Sequence, residues 1–249
     1  MPRLKSVVQG TDHWHDVRLG KITASRVSAL LGIGEYGGRE QAGRDIRACV
    51  PDHIKDNSYM AHGRKYEANA VARMGELTGE LIEEGGFFIH PRYNFAAASP
   101  DGLIGDDTCV EVKCPYVRPH FAIKPEYWCQ MQHQMACTET SMCHFGVRWI
   151  AQDEREGYDK VDPRCQSNEK THTQTWKVYP SLWWQDVIGP ELRRRYQHAI
   201  VGGLFGNKPT FKMQAAQDAK NLHVEWRRYD EDVMAALIDS SEGGEIVYD

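Results

Sequence analysis

Residues 99–115 read SPDGLIGDDTCVEVKCP. Pro100-Asp101-Gly102 has the composition of a tight turn. Val110-Glu111-Val112-Lys113-Cys114 has that of a strand, with apolar residues alternating with one acid and one base. Residues two apart on a strand share a face, so Glu111 and Lys113 stand together while Val110, Val112 and Cys114 pack on the other side. A hairpin across the intervening residues would bring Asp101 beside the charged face. Two carboxylates plus strand carbonyls make a hard oxygen site suited to Mg²⁺ or Mn²⁺. The neighbouring ammonium can orient a water and offset charge building on a phosphate, which are the parts a phosphodiesterase needs. The acid-x-Lys pair alone is unspecific. Asp218-Ala219-Lys220 repeats it in a polar stretch with no Pro-Asp ahead, and a half-exposed ion pair on a strand would read the same way.

Upstream, SYMAHGRKYEANAVARMGELTGE places Tyr66, Ala70, Met74 and Leu77 at helical spacing, with Gly79 as a stop. On a helix from Tyr59 to Met74, Glu67 can supply a third carboxylate or stand as a solvated surface acid. Thr23 or Ser25 can cap a short helix running to Leu31. The glycine-bearing stretch from Glu35 to Asp45 reads as polar connection. GGFFIH and NFAAASPDGLIG read as strands around Pro91, Pro125–Thr138 as a helix with proline at its start, MCHFGVRWIA and TQTWKVYP as strands, and Ser181–Ile200 as a helix. Asp153–His172 reads as an exposed loop. Helices, a run of strands and then mixed elements predict an α/β domain with a mixed central sheet flanked by helices. One domain over residues 1–208 and an appendix over 209–249, helical or loosely packed, complete the division; in the appendix Val233, Ala236 and Leu237 can form one apolar face.

The composition fits this reading. The chain has 249 residues, 41% of them hydrophobic, and a net charge of −5 from 30 basic and 35 acidic residues. That balance argues against a broadly basic nucleic-acid binder but not against a nuclease, whose bases need only line one groove. Seven cysteines without a CxxC pair indicate neither a disulfide framework nor a zinc ribbon, and a reducing cytoplasm fits. No run approaches the length of a membrane span, and the first residues lack the apolar core of a secretory signal.

In order and spacing, WHDVRLGKITAS, GRKYEANA, SPDG…EVKCP and YWCQMQHQM resemble the lambda-type phage exonucleases, the YqaJ-type viral recombinase nucleases of the restriction-endonuclease-like PD-(D/E)xK superfamily. The resemblance spans about Thr11 to Leu204. It implies a restriction-endonuclease-like core with metal-binding acids at Asp101 and Glu111, a further metal position at the Val112 carbonyl, a catalytic lysine at Lys113 and a helix-borne glutamate at Glu67 reaching metal through water. The family's active-site glutamine falls on Gln130, with Gln132 a second candidate. The resemblance also implies a pocket for a terminal 5′-phosphate at Arg18, Ser25, Ser99 and Arg118, with Trp14 beside it and Met60 as an apolar wedge between the DNA strands.

The activity implied is a Mg²⁺-dependent 5′→3′ exonuclease on linear double-stranded DNA, using two ions per site, with Mn²⁺ as a substitute. It releases mononucleotides and leaves a 3′ single strand for recombination. A homotrimeric ring, a single-strand annealing protein as partner, a phage or prophage origin and work in the cytoplasm of a bacterial host belong to the same expectation. Two other readings stand beside it: a structure-specific or Fe–S-containing nuclease of the superfamily, and a non-catalytic DNA-binding or assembly protein.

Overall fold

The computed structural model describes residues 3–4, 7–31, 39–48, 57–117, 123–150, 171–181 and 184–200. Arg118, the loop expected over Asp153–His172 (apart from its last two residues) and the appendix with Val233, Ala236 and Leu237 lie outside them.

The chain opens with a short strand β1 (Arg3–Leu4), then helix α1 (Asp12–Arg18), in which the Thr11 hydroxyl accepts from the Trp14 backbone amide at 3.2 Å. Strand β2 (Ile22–Thr23) leads into α2 (Ala24–Leu31), whose buried Ala24, Val27, Leu30 and Leu31 recur at helical spacing. Helix α3 (Arg39–Ala48) follows, seated on α2 with Ala42 and Ile46 buried. This corrects the expectation of a connecting stretch there: two apolar residues four apart suffice to anchor a polar helix. Helix α4 (Ser58–Thr78) begins at Asn57, whose side chain accepts from the Met60 amide, and ends at Gly79 in the left-handed conformation.

Strands β3 (Phe87–Ile89), β4 (Ala96–Ala98), β5 (Gly102–Ile104) and β6 (Thr108–Lys113) come next, followed by α5 (Pro125–Thr138), β7 (Met142–Ile150) and β8 (Thr171–Val178). A π-helical turn (Trp184–Ile188) enters α6 (Gly189–Ile200), so the last expected helix starts later and less regularly than the sequence indicates. Strand β8 likewise starts at Thr171, inside the expected loop.

The strands form two mixed four-stranded sheets, β1-β3-β4-β2 and β5-β6-β7-β8. They meet where β4 runs into β5 through Ser99, Pro100 and Asp101. Strands β6 and β7 are parallel, with α5 as the crossover between them, and β5 and β6 form the antiparallel hairpin expected from the sequence. Strand β6 is covered on both faces. Val110 and Val112 pack with Ala70 and Met74 of α4, while Cys109 packs with Met131 and Met135 of α5 in the main core. Glu111 lies on the α5 side, buried within that layer.

Candidate active site

Asp101 stands where the β5–β6 ladder ends. Its amide donates to the Val110 carbonyl at 2.9 Å, and its Oδ2 accepts from the Val112 amide at 2.8 Å, taking the place of a strand carbonyl. Pro100, with no amide proton, cannot extend the pairing. The carboxylate is thus locked onto the backbone of the strand that carries Glu111 and Lys113.

Glu111 is 1% exposed. The Lys113 ammonium contacts its Oε1, and Gln130 Nε2 donates to the same oxygen at 2.6 Å. Gln134 Nε2 donates to Oε2 at 2.5 Å. Glu67 looks onto the same charges from α4 and accepts from Gln9 Nε2 at 3.2 Å. Met60 shares its face of α4, two turns earlier, or about 10 Å along the axis.

The electrostatics follow from three acids and one ammonium, with Glu111 buried and Asp101, Glu67 and Lys113 half-buried. Burial and the neighbouring Glu111 hold Asp101 well above the ordinary carboxyl range, against the pull of Lys113 and the Val112 amide. Burial and then Glu111 raise Glu67 as well. Burial alone would lower Lys113, but Glu111 and Asp101 outweigh it and raise its pKa, so it remains an ammonium at neutral pH. Three carboxyls thus share one ammonium.

A second group of residues adjoins it through Ser99. Trp14 Nε1 donates to Ser99 Oγ at 3.2 Å, and Ser99 Oγ donates to the Gly86 carbonyl at 2.9 Å. The Arg18 guanidinium lies 3.9 Å above the Trp14 ring, and its Nη2 reaches Thr23 Oγ1, which pairs in turn with Ser25 Oγ at 3.4 Å. Burial and the neighbouring Arg26 lower Arg18 to about 10. A half-buried guanidinium facing a second one is an environment that an anion would relieve. Arg18, Ser25, Ser99 and Trp14 therefore come together, two residues from Asp101.

Gln132 takes another role. Its amide accepts from the Ser181 amide at 2.7 Å and donates to the Tyr179 carbonyl at 2.8 Å, fastening α5 to the end of β8. The described cysteines are free thiols, all buried except the partly buried Cys114, and Cys143 is hydrogen-bonded to Cys109. Burial pushes Cys114 and Cys129 up to about 12, and Cys137 and Cys143 well above the ordinary thiol.

Residues 13–141, more than half of the chain, match the family described as the YqaJ-like viral recombinase domain. The chain belongs to that family. Its YqaJ-like domain is similar to the crystal structure of an alkaline exonuclease, LHK-Exo, from Laribacter hongkongensis, at 26% identity and a TM-score of 0.58 over 83% of this chain and 99% of that one. LHK-Exo in complex with dAMP matches at 24% identity and 0.54 over 88% and 100%. A phage-related exonuclease from Haemophilus somnus 129PT shares the fold at 13% identity and 0.51 over 73% and 92%. No curated protein matches the chain. The restriction-endonuclease-like fold of these exonucleases is the mixed α/β architecture described above.

Three features of the YqaJ-like site escaped the sequence reading. Gln134 grips Glu111 from a helix buried on nearly all sides, where no periodicity marks it. Gly85 packs so closely that a Cβ there would lie 2.1 Å from the Pro100 carbonyl oxygen. Arg26 stands as an ordinary helix-surface arginine in sequence, and only the fold brings it toward Arg18.

Proposed function

We propose that this chain is a divalent-metal-dependent deoxyribonuclease that digests one strand of linear double-stranded DNA from its 5′ end and leaves a 3′ overhang. Family membership and the likeness to an alkaline exonuclease support a DNA exonuclease acting at ends. The observation that carries the finer reading is the junction at Ser99–Asp101: an acid–lysine cluster on one side of the turn and the Arg18 pocket on the other.

Among the described residues no three His, Cys, Asp or Glu side chains form a ready-made metal cage. Lys113 and the two glutamines occupy the Glu111 oxygens, and the Val112 amide occupies one oxygen of Asp101. The donor set nevertheless fits a hard divalent cation: three carboxyls share one ammonium, and the burial and mutual repulsion that raise Asp101 and Glu67 are what a bound dication would relieve. Asp101, Glu111 and the Val112 carbonyl would hold the ion, with Glu67 behind a water, and Mg²⁺ or Mn²⁺ suits oxygen donors of this kind. When bound, such an ion polarises the phosphate and makes a nucleophile available near neutral pH; two ions per site is the arrangement proposed.

The chain's own groups supply the rest. Lys113, charged throughout the neutral range, offsets the negative charge that grows on the phosphate. Gln130, half-exposed at the mouth, orients without adding charge. Arg18 grips a terminal phosphate and Ser25 donates to it; Ser99 donates to it once its one proton turns from the Gly86 carbonyl, and Trp14 holds both sides of the pocket together. Arg118 is assigned to the same pocket and Met60 to parting the strands. Residues 1–208 act as one nuclease domain and 209–249 as an appendix. A trimeric ring around DNA, an annealing protein that receives the 3′ strand, and work in the cytoplasm of a host cell complete the proposal.

The test is digestion of a linear duplex labelled at either end, with Mg²⁺ or with EDTA. Loss of the 5′-terminal label first, as a mononucleotide, is expected only with metal. Release from the 3′ end, or cleavage in EDTA, would overturn it.

A further inference from the structure

We infer that Gln134 is a positioning residue for Glu111, setting the plane of that carboxylate for a divalent cation; the inference rests on the nuclease reading of the site. Gln130 and Gln134 lie one helical turn apart on α5, so both face β6. Each takes one oxygen of Glu111: Gln130 takes Oε1 at 2.6 Å and Gln134 takes Oε2 at 2.5 Å. Oε1 is also held by Lys113. Gln134 thus supplies the donor on Oε2.

The two amides differ in surroundings. Gln130 is half-exposed and can turn toward substrate, whereas Gln134 is 0% exposed and fixed by its neighbours. Its Oε1 is buried with no hydrogen-bond partner among the described residues. A buried amide with an idle acceptor costs stability that an apolar side chain of similar size would not. Met131 and Met135 fill adjacent space on the same helix without that cost. What the amide adds is the bond to Glu111. A neutral donor holds the carboxylate without cancelling the negative charge that a cation requires, which a lysine or arginine there would do.

The test compares Gln134→Met, of similar volume but without a donor, with Gln132→Met in the full-length protein. Titration calorimetry with Mg²⁺ alone should show affinity reduced at least tenfold in Gln134→Met. Its kcat on linear duplex should fall at saturating Mg²⁺ with KM for DNA unchanged. Gln132→Met, which loses the bonds to Tyr179 and Ser181, should melt earlier with Mg²⁺ affinity intact. A folded Gln134→Met with wild-type Mg²⁺ affinity and kcat overturns the inference while leaving the nuclease reading in place. A wild-type protein without Mg²⁺-dependent cleavage overturns both. Should Gln134→Met not fold, the ¹⁵N side-chain amide resonance of Gln134 in the wild type decides: a shift on Mg²⁺ addition supports the inference, and an unmoved resonance overturns it.

Discussion

Trp14 and Ser99, 85 residues apart, are joined by one hydrogen bond, from the indole Nε1 to the serine Oγ at 3.2 Å. The bond ties the helix that carries Arg18 to the turn that carries Asp101. In the function proposed here, it would set the distance between a phosphate held at Arg18 and the bond to be cut.

Arg18→Ala should slow digestion of 5′-phosphorylated duplex at least tenfold and change 5′-hydroxyl duplex far less. A terminal phosphate carries more charge than an internal diester, and a guanidinium can hold two of its oxygens. The check is the rate ratio for the two ends at one fixed salt concentration, because phosphate contacts are salt-sensitive. An unchanged ratio removes Arg18 from the pocket.

Lys113→Ala should reduce kcat by two or more orders of magnitude, with duplex binding retained, since the ammonium acts chiefly on the transition state. Single-turnover cleavage and filter binding measured side by side separate the two effects. Near-normal cleavage would exclude the lysine from the chemistry.

Asp101→Asn should abolish the thermal stabilisation that Mg²⁺ gives the wild type. Burial and Glu111 raise the Asp101 carboxyl in the fold, so its ionised form destabilises the metal-free protein. That penalty is absent below the ordinary carboxyl pKa and grows as pH rises toward the folded one. In EDTA at neutral pH the variant should therefore melt no lower than the wild type, because asparagine can still accept from the Val112 amide. Added Mg²⁺ should then raise only the wild-type Tm. Equal Mg²⁺-induced shifts in both proteins would mean that Asp101 is not a ligand.

Gly85→Ala should cost stability on the order of 1–3 kcal/mol and lower kcat as well. The added methyl would meet the Pro100 carbonyl oxygen at 2.1 Å, and Pro100 lies between Ser99 and Asp101. Denaturant melts together with kcat on linear duplex check both effects. A variant that is destabilised but fully active would show that the turn can shift without moving the acids.

Two buried histidines should contribute a loss of stability between about pH 6.5 and 4, opposite in sign to the effect of Asp101. His133 is buried, with Nδ1 accepting from Trp184 Nε1 and Nε2 facing the Ile22 carbonyl. The ring is therefore neutral with its proton on Nε2. His90 lies flat on Trp184 at 4.8 Å, and its Nδ1 accepts from the Arg92 amide. Burial lowers both to about 4, assisted by His90 at His133 and by Arg92 at His90. The unfolded chain protonates them near 6.5, so their contribution to stability is full above that pH and declines as pH falls toward 4. Urea midpoints across this range give the test, and the slope should shrink in His133→Gln.

The sequence disclosed most where geometry is local. Alternation in residues 110–114 was enough to place Glu111 and Lys113 on one face, and the Pro-Asp-Gly turn to place Asp101 beside them. Gly79 marked the end of α4 in the sequence, while the Asn57 cap at its start was not read. Helix α3 was misread because Gly37, Gly38 and Gly43 resemble a loop and only Ala42 and Ile46 anchor it. Gln134 was missed because α5 buries Trp128, Cys129, Met131, Gln132, His133, Gln134 and Met135 together, which leaves no polar face to read. The Gly85–Pro100 contact joins distant residues whose types carry no pairing signal.

The crossing between Asp101 and Val112 spans 11 residues, whereas that between Trp14 and Ser99 spans 85. Closing the longer loop from a disordered chain costs roughly 2 kcal/mol more in entropy. The proposed cutting half is thus built mostly from the hairpin and the helix that follows it, with Glu67 added from α4. The gripping half is a long-distance clasp laid over it. In evolutionary terms, if the proposed roles hold, the two can vary separately: a change in the first twenty residues would retune which DNA ends are held while the acids and lysine remain where the hairpin puts them.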